Sequence, residues 1–290
     1  MLINIKQVTL KHYIFIVLLS SLFIGCTNKI LYHPPKNNIP LTQQYHYDER
    51  NISTVDKELL SAVEYYTPEE KSQGVLLFLH GNADNIYSAQ NTGLLFLEGG
   101  YNVLLVDYRG YGKSTGKPSP KGLNLDIQAM IQYLNKEYDN IYIYAQSIGG
   151  TSFLGALDEI DKSKIRAITT EGSFFSYKQL ADKMGIHIPF TNYKELMSYA
   201  PISTKETSIP LLIIHSTEDE IIPYSQGLAL SQHFKKAKHL PTTGKHLGYL
   251  SSSFKLKQVF RFFNDNKNYK YITPIENNIS NENNVSISVQ

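Results

Sequence analysis

The sequence predicts an α/β fold built on a mostly parallel, doubly wound sheet, and three observations carry that expectation. Apolar runs of strand length recur between residues 74 and 240, too evenly apolar for a sheet with one wet face. Helical patterns fall between them, among them Gly122–Glu137 and Tyr224–Phe234, giving the alternation of parallel βαβ units. The chain's 290 residues are enough for one large α/β domain, which at this size buries about three quarters of its unfolded surface.

From the N-terminus, Lys6, Lys11 and His12 precede the apolar run Tyr13 to Ile24, the length of a signal h-region and short for a membrane span. The run ends Phe23-Ile24-Gly25-Cys26, which is similar to a bacterial lipobox. The resemblance implies that residues 1–25 are a signal peptide of lipoprotein type and that Cys26 becomes the lipid-modified N-terminus. Cys26 is the single cysteine, so no intramolecular disulfide can form. Each buried acyl CH₂ contributes about 0.8 kcal/mol, so several chains on one cysteine anchor stably. Thr27 stands where an inner-membrane retention signal prefers Asp, so the same resemblance favours the outer membrane of a bacterial envelope. Residues 26–50 read as a tether, and a first antiparallel pair is expected between 41 and 66. Core strands are predicted at Gly74–Leu79, Asn102–Val106, Ile141–Ala145, Ile165–Thr170, Leu211–His215 and Ala237–Leu240. The domain spans 51–267, with one insertion, 172–206, large enough for a small cap. Phe174, Phe175, Met184, Phe190, Tyr193 and Met197 give that cap either an apolar acyl pocket or a means of packing on the body. Residues 268–290 are rich in Asn and Ser, cannot offset their ordering entropy and are predicted to be disordered.

The chemistry concentrates at three places. Tyr144-Ala145-Gln146-Ser147-Ile148-Gly149-Gly150 joins a β-type run directly to a small-residue helix start, the setting of a nucleophile elbow of pattern G-x-S-x-G. The flanking Ala145 and Gly149 are small, as the sharp turn requires; Ala145 departs from the pattern by one methyl group. A serine hydroxyl is a weak nucleophile without a base and an orienting acid. Ile209 to His215 is an apolar strand followed by Glu218-Asp219-Glu220-Ile221-Ile222-Pro223, where open α/β sheets place functional groups. Three acids compete there. Asp219 is chosen because the residues after it can wedge the loop and turn its short side chain to the sheet edge, leaving Glu218 and Glu220 in solvent. Gly244-Lys245-His246-Leu247-Gly248 then supplies a glycine-flanked histidine.

The order Ser147, Asp219, His246 differs from that of chymotrypsin-like and subtilisin-like enzymes. Together with His80-Gly81-Asn82-Ala83-Asp84 and Asp107-Tyr108-Arg109-Gly110-Tyr111-Gly112-Lys113-Ser114, these pieces resemble the α/β-hydrolase fold family, in particular serine hydrolases with a His-Gly-Asn oxyanion strand and a small cap. The resemblance spans residues 74 to about 250. It implies Ser147 as nucleophile, His246 as general base and acid, Asp219 as its orienting acid, and the backbone N–H groups of Asn82 and Ile148 as oxyanion donors. His80 is expected to hold the oxyanion loop, His215 to pack, and Asp107 and Arg109 to organise the loop around Tyr108; His187 and His233 receive no role.

A formal net charge of +2 with scattered Lys and Arg gives no footprint for nucleic acid. The chain has no glycine-rich phosphate loop, no metal-ligand spacing and no H-E-x-x-H, so no cofactor or metal is expected. The expected function is hydrolysis of a small acyl ester or thioester by a monomer tethered to a membrane. Two alternatives stay open: an amide or short-peptide hydrolase of aminopeptidase type on the same triad, and a non-catalytic binding lipoprotein on a hydrolase scaffold.

Overall fold

Strands β1 (Tyr47–Ser53), β2 (Leu59–Tyr65), β3 (Gly74–Leu79), β4 (Tyr101–Val106), β5 (Ile141–Gln146), β6 (Ile165–Glu171), β7 (Leu211–Ser216) and β8 (Lys238–Thr242) form one sheet. The computed structural model describes residues 28, 31–35, 40–68, 71–183, 185 and 192–270. Sheet order is β1-β2-β4-β3-β5-β6-β7-β8. The first two strands pair antiparallel, as does β2 with β4, and every later pairing is parallel. The fold class is therefore the predicted one, and the core strands fall within two residues of their predicted bounds. From β3 the chain steps to β4 on one side and then to β5 on the other. Loops leaving β3 and β5 consequently diverge and open a crevice at the carboxyl edge.

Helices α1 (Ile86–Gly93), α2 (Pro120–Glu137), α3 (Ile148–Gly155), α6 (Tyr224–His233) and α7 (Ser253–Asp265) flank the sheet; α4 (Tyr177–Lys183) and α5 (Tyr193–Met197) lie in the cap insertion. Helix α2 starts two residues before its predicted bound. Ser119 Oγ accepts from the Gly122 N–H at 3.0 Å and Pro120 sits in the first turn, where its missing N–H costs nothing. One sheet face buries Leu77, Ile143 and Ile213 with Ile127, Met130, Phe153 and Leu230. The other buries Phe78, Tyr142 and Tyr144 with Phe96 and α7, whose Leu256, Val259, Phe262 and Phe263 recur at helical spacing.

Several boundaries differ from the sequence reading. Residues 47–50 of the expected tether belong to β1, and Tyr32 within it is 3% exposed. The Thr42 N–H donates to Gln90 Oε1 at 3.0 Å and Gln90 Nε2 to the Pro40 carbonyl at 3.1 Å, so local polar bonds fix a segment that composition marked as linker. At the other end, Tyr269 belongs to the body: its carbonyl accepts from Arg166 at 2.9 Å and its hydroxyl meets Ser208 at 2.9 Å. These bonds fasten Tyr269 to the body; residues 271–290 lie outside the described ones, as do the signal segment and Cys26. No helix among the described residues is long and apolar enough to cross a membrane. In the cap, Phe174 packs edge-on to Tyr177 and both are buried in the core cluster of the body, while the Phe174 N–H donates to Thr151 Oγ1 at 3.0 Å and the Phe175 N–H to Gln226 Oε1 at 3.1 Å, so these residues hold the cap on the body. Met184 and Phe190 lie outside the described residues.

The loop after β4 is fixed by buried charge. Arg109 Nε donates to Asp126 Oδ1 at 2.8 Å, its N–H to Asp126 Oδ2 at 2.9 Å, and its Nη1 to Asp56 at 2.7 Å. Burial pushes the Asp126 carboxyl up to about 6, with Arg109 pulling against it. Arg109→Leu therefore strands a carboxylate in the core and should destabilise the fold by about 3–5 kcal/mol. The sign of its pH dependence follows. A folded pKa above the unfolded value gives stability that is complete below about pH 4 and is lost as pH rises through the folded value. Urea unfolding of the variant should show a deficit that is smaller at pH 5 than at pH 8; a deficit that grows on acidification contradicts this account.

Candidate active site

Ser147 links β5 to α3 with no intervening residue, and the turn forces its backbone to φ 51, ψ −118. Such a conformation costs a non-glycine residue about 1–3 kcal/mol and persists only where neighbours over-determine it. Here the Ser147 N–H donates to the Glu171 carbonyl at 2.8 Å and the Ser147 carbonyl accepts from Thr151 N–H at 3.1 Å. Gly149 has no alternative: a Cβ there would lie 2.5 Å from the Tyr108 hydroxyl and 2.9 Å from the His80 carbonyl. Ala145, paired with Leu79 and Thr170, fits its methyl into a fully buried place.

The hydroxyl meets the two downstream groups. His246 Nε2 is 3.0 Å from Ser147 Oγ and His246 Nδ1 is 2.7 Å from Asp219 Oδ2. An ionised carboxylate only accepts, so Nδ1 carries the proton and Nε2 is left as the acceptor facing the serine. The Asp219 side chain is 0% exposed and that of His246 12%, while Ser147 as a whole is 7% exposed. Asp219 Oδ1 accepts from the N–H groups of Ile221 at 2.9 Å and Ile222 at 2.7 Å. Burial alone would raise this carboxyl, but hydrogen bonds from His215, His246 and the Ile222 N–H hold it well below the ordinary carboxylate range.

The supporting groups correct three expectations. His215, expected only to pack, places Nε2 2.9 Å from the Ile222 carbonyl and 3.3 Å from Asp219 Oδ2, so it fixes the acid loop. Glu218 and Glu220 are exposed as expected, yet neither is idle. Glu218 accepts from the Gly244 N–H at 2.9 Å and Glu220 from the His246 N–H at 3.1 Å, tying the acid loop to the histidine loop. Glu171, to which the sequence reading gave no role, is buried behind the elbow. It accepts from Tyr144 at 2.7 Å, Gln146 at 2.9 Å and the Tyr249 N–H at 2.8 Å, and burial pushes its carboxyl up. An acid at the end of a buried strand was the available signal.

Asn82 follows β3, and Ile148 opens α3, whose first N–H groups have no intrahelical partner. The loop of Asn82 passes close to the serine, since a Cβ on Gly81 would stand 3.8 Å from Ser147 Cβ. The Asn82 side chain is engaged elsewhere, accepting from Tyr111 and the His33 N–H and donating to the Leu31 carbonyl. Only its backbone is available to a ligand. His80 Nδ1 lies 2.8 Å from the Gly81 carbonyl with its ring against Tyr108, and Asp107 accepts from the Ile86 N–H at 2.8 Å. His233 Nε2 is 2.8 Å from the Thr204 carbonyl, away from the serine; His187 lies outside the described residues.

This eight-stranded sheet with its elbow defines an α/β-hydrolase class of protein, and comparison with known proteins agrees. A family profile described as "alpha/beta hydrolase fold" matches residues 74–194. Protein bem46 of Schizosaccharomyces pombe is 31% identical over 206 residues, 67% of this chain and 69% of that one. The chain belongs to the α/β-hydrolase fold family. Uncharacterized protein YfhR of Escherichia coli K12 is 32% identical over 179 residues, and the match spans 62% of its length. Among solved structures, the Pyrococcus furiosus esterase Pf2001 superposes with TM-score 0.65 at 20% identity, covering 80% of this chain and 99% of that one. An esterase of Exiguobacterium antarcticum gives TM-score 0.55 at 17% identity, over 73% and 98%. At those identities the likeness is one of fold.

Proposed function

We propose that the protein is a membrane-tethered serine hydrolase that cleaves carboxylic esters or thioesters through an acyl-enzyme on Ser147. The single observation that carries the reading is the relay of Ser147 Oγ, His246 and Asp219 at 3.0 and 2.7 Å. His246 Nε2 takes the hydroxyl proton as Oγ attacks the acyl carbonyl, then returns it to the departing alcohol or thiol. Water, deprotonated by the same nitrogen, releases the acid. The tetrahedral oxyanion lies where the N–H groups of Asn82 and Ile148 and the α3 dipole favour negative charge. Asp219 holds the imidazole tautomer and stabilises the imidazolium. The tether is proposed to be Cys26, carrying lipid at the envelope membrane.

The test is fluorophosphonate labelling followed by a panel of p-nitrophenyl esters of increasing chain length. Wild-type protein should label and Ser147→Ala should not. An inert wild type, or equal labelling of both, would favour the non-catalytic scaffold; turnover of peptide amides in preference to esters would favour the aminopeptidase-type alternative. Mass spectrometry of the mature N-terminus checks the tether, and an unmodified Cys26 removes it.

Gly172 offers a sharper probe of geometry. At φ 61, a Cβ on it would sit 2.8 Å from His246 Cε1 and 3.0 Å from Nδ1. Gly172→Ala must displace the imidazole, and shifts of about 1 Å cost roughly 10²-fold in rate. Ester kcat should fall by that order with cooperative unfolding retained. Unchanged kcat would show that the loop absorbs the methyl.

A further inference from the structure

The segment leading from Cys26 is fastened to the rim of the site itself. Asn82 Nδ2 donates to the Leu31 carbonyl at 2.9 Å, and its Oδ1 accepts from the His33 N–H at 3.0 Å and the Tyr111 hydroxyl at 2.7 Å. Between the two strap contacts, Tyr32 is buried in the same core cluster as Tyr111 and Tyr177, the latter opening cap helix α4. The strap is thus wedged between oxyanion loop and cap. Its Tyr32 N–H donates to the Asn28 carbonyl at 2.9 Å, and Asn28 lies two residues from Cys26.

Covalent reach then limits where the site can point. Cys26 precedes Leu31 by five residues, and at no more than about 3.6 Å per residue their Cα atoms lie within roughly 18 Å. A domain of this length is roughly 45 Å across by the usual scaling of radius of gyration with chain length. A leash shorter than half that width, tied at the mouth of the crevice, keeps the mouth on the side that faces the anchor. The same rim carries Ile221, half exposed beside Asp219, and the exposed Lys245 beside His246. Ile221 suits a headgroup boundary, while the exposed Glu218 and Glu220 of the same rim offset the charge of Lys245, so the orientation rests on the leash and not on charge.

We propose that the substrate is an acyl ester of a lipid in the membrane that holds the protein, taken from the bilayer surface and not from solution. The proposal rests on the reading of the chain as an acyl hydrolase lipidated at Cys26. In the step implied, Ser147 Oγ displaces the lipid alkoxide, which leaves with the proton carried by His246. Water then cleaves the acyl-serine, giving a free fatty acid and a lyso-lipid.

The experiment compares three forms of the protein in phosphatidylethanolamine–phosphatidylglycerol vesicles: the native lipidated chain, the lipidated chain with a Gly/Ser insert between Thr27 and Asn28, and a chain starting at Thr27. An insert of roughly 30 residues lengthens the leash by about 30 Å and frees the mouth to turn away. Fatty-acid release from the vesicles should fall about tenfold with the insert and about 10²-fold without the anchor, as the effective concentration of lipid at the site drops. Hydrolysis of p-nitrophenyl acetate should be equal for all three and absent in Ser147→Ala. No fatty-acid release by the native chain, equal release by all three forms, or an unacylated Cys26 would overturn the proposal while leaving the ester hydrolase reading standing. Failure on p-nitrophenyl acetate as well would defeat that reading, and this one with it.

Discussion

Ser147→Ala should lower kcat on p-nitrophenyl esters by about 10⁵–10⁶-fold, the loss found when the nucleophile of a serine triad is removed. The substitution deletes one oxygen from a side chain whose backbone is held independently, by Glu171 on one side and Thr151 on the other. Stability should change by less than about 1 kcal/mol, or rise slightly, since alanine leaves no hydroxyl to satisfy. Steady-state kinetics with chemical denaturation of the same preparation separates the two effects. A variant retaining even a hundredth of wild-type kcat would mean that another group performs the attack.

Asp219→Asn should cost about 10⁴-fold in kcat, for a reason that is geometric as much as electrostatic. Oδ1 is committed to the N–H groups of Ile221 and Ile222, so in the variant that position must remain the amide oxygen. The amide NH₂ then replaces Oδ2 and faces His246 Nδ1 and His215 Nε2. His215 cannot yield, because its Nε2–H also serves the Ile222 carbonyl. His246 must therefore accept at Nδ1 and carry its proton on Nε2, pointing a donor at Ser147 where an acceptor is needed. The variant should be nearly inactive at pH 7, with partial recovery at high pH as hydroxide replaces the missing base. Near-wild-type kcat at pH 7 would show that Asp219 does not set the tautomer. Glu218 and Glu220 serve as internal controls: each grips only a backbone N–H, and loss of either should cost far less than loss of Asp219.

The strands of the sheet were legible because burial on both faces writes itself as uninterrupted apolar sequence, as in Val75 to Leu79 and Leu211 to Ile214. The elbow was legible because close approach demands small residues at fixed offsets, and Gly149 meets Tyr108 and the His80 carbonyl as that pattern requires. Of the three adjacent acids, Asp219 is the one whose side chain lies within hydrogen-bond distance of the His246 ring. What the neighbouring glutamates do depends on the histidine loop 26 residues later, which no local pattern encodes. The tether was misjudged for the same reason: Asn and Pro signal a linker, yet Tyr32 is buried in the same core cluster as Tyr111 and Tyr177, 79 and 145 positions away.

By itself, then, the sequence determined the fold class, the strand order's alternation with helices, and which side chains had the chemistry to act, because backbone periodicity and turn sterics are properties of neighbours in the chain. Only the tertiary structure decided which groups meet: His215 and Glu171 as supports of the acid and the elbow, the glutamates as clamps, and the N-terminal strap at the oxyanion loop. Apart from His215, whose partners lie four and seven residues on, those pairings join groups 25 to 78 residues apart. Their distances are set by the packing of the whole sheet, which no short window along the chain encodes.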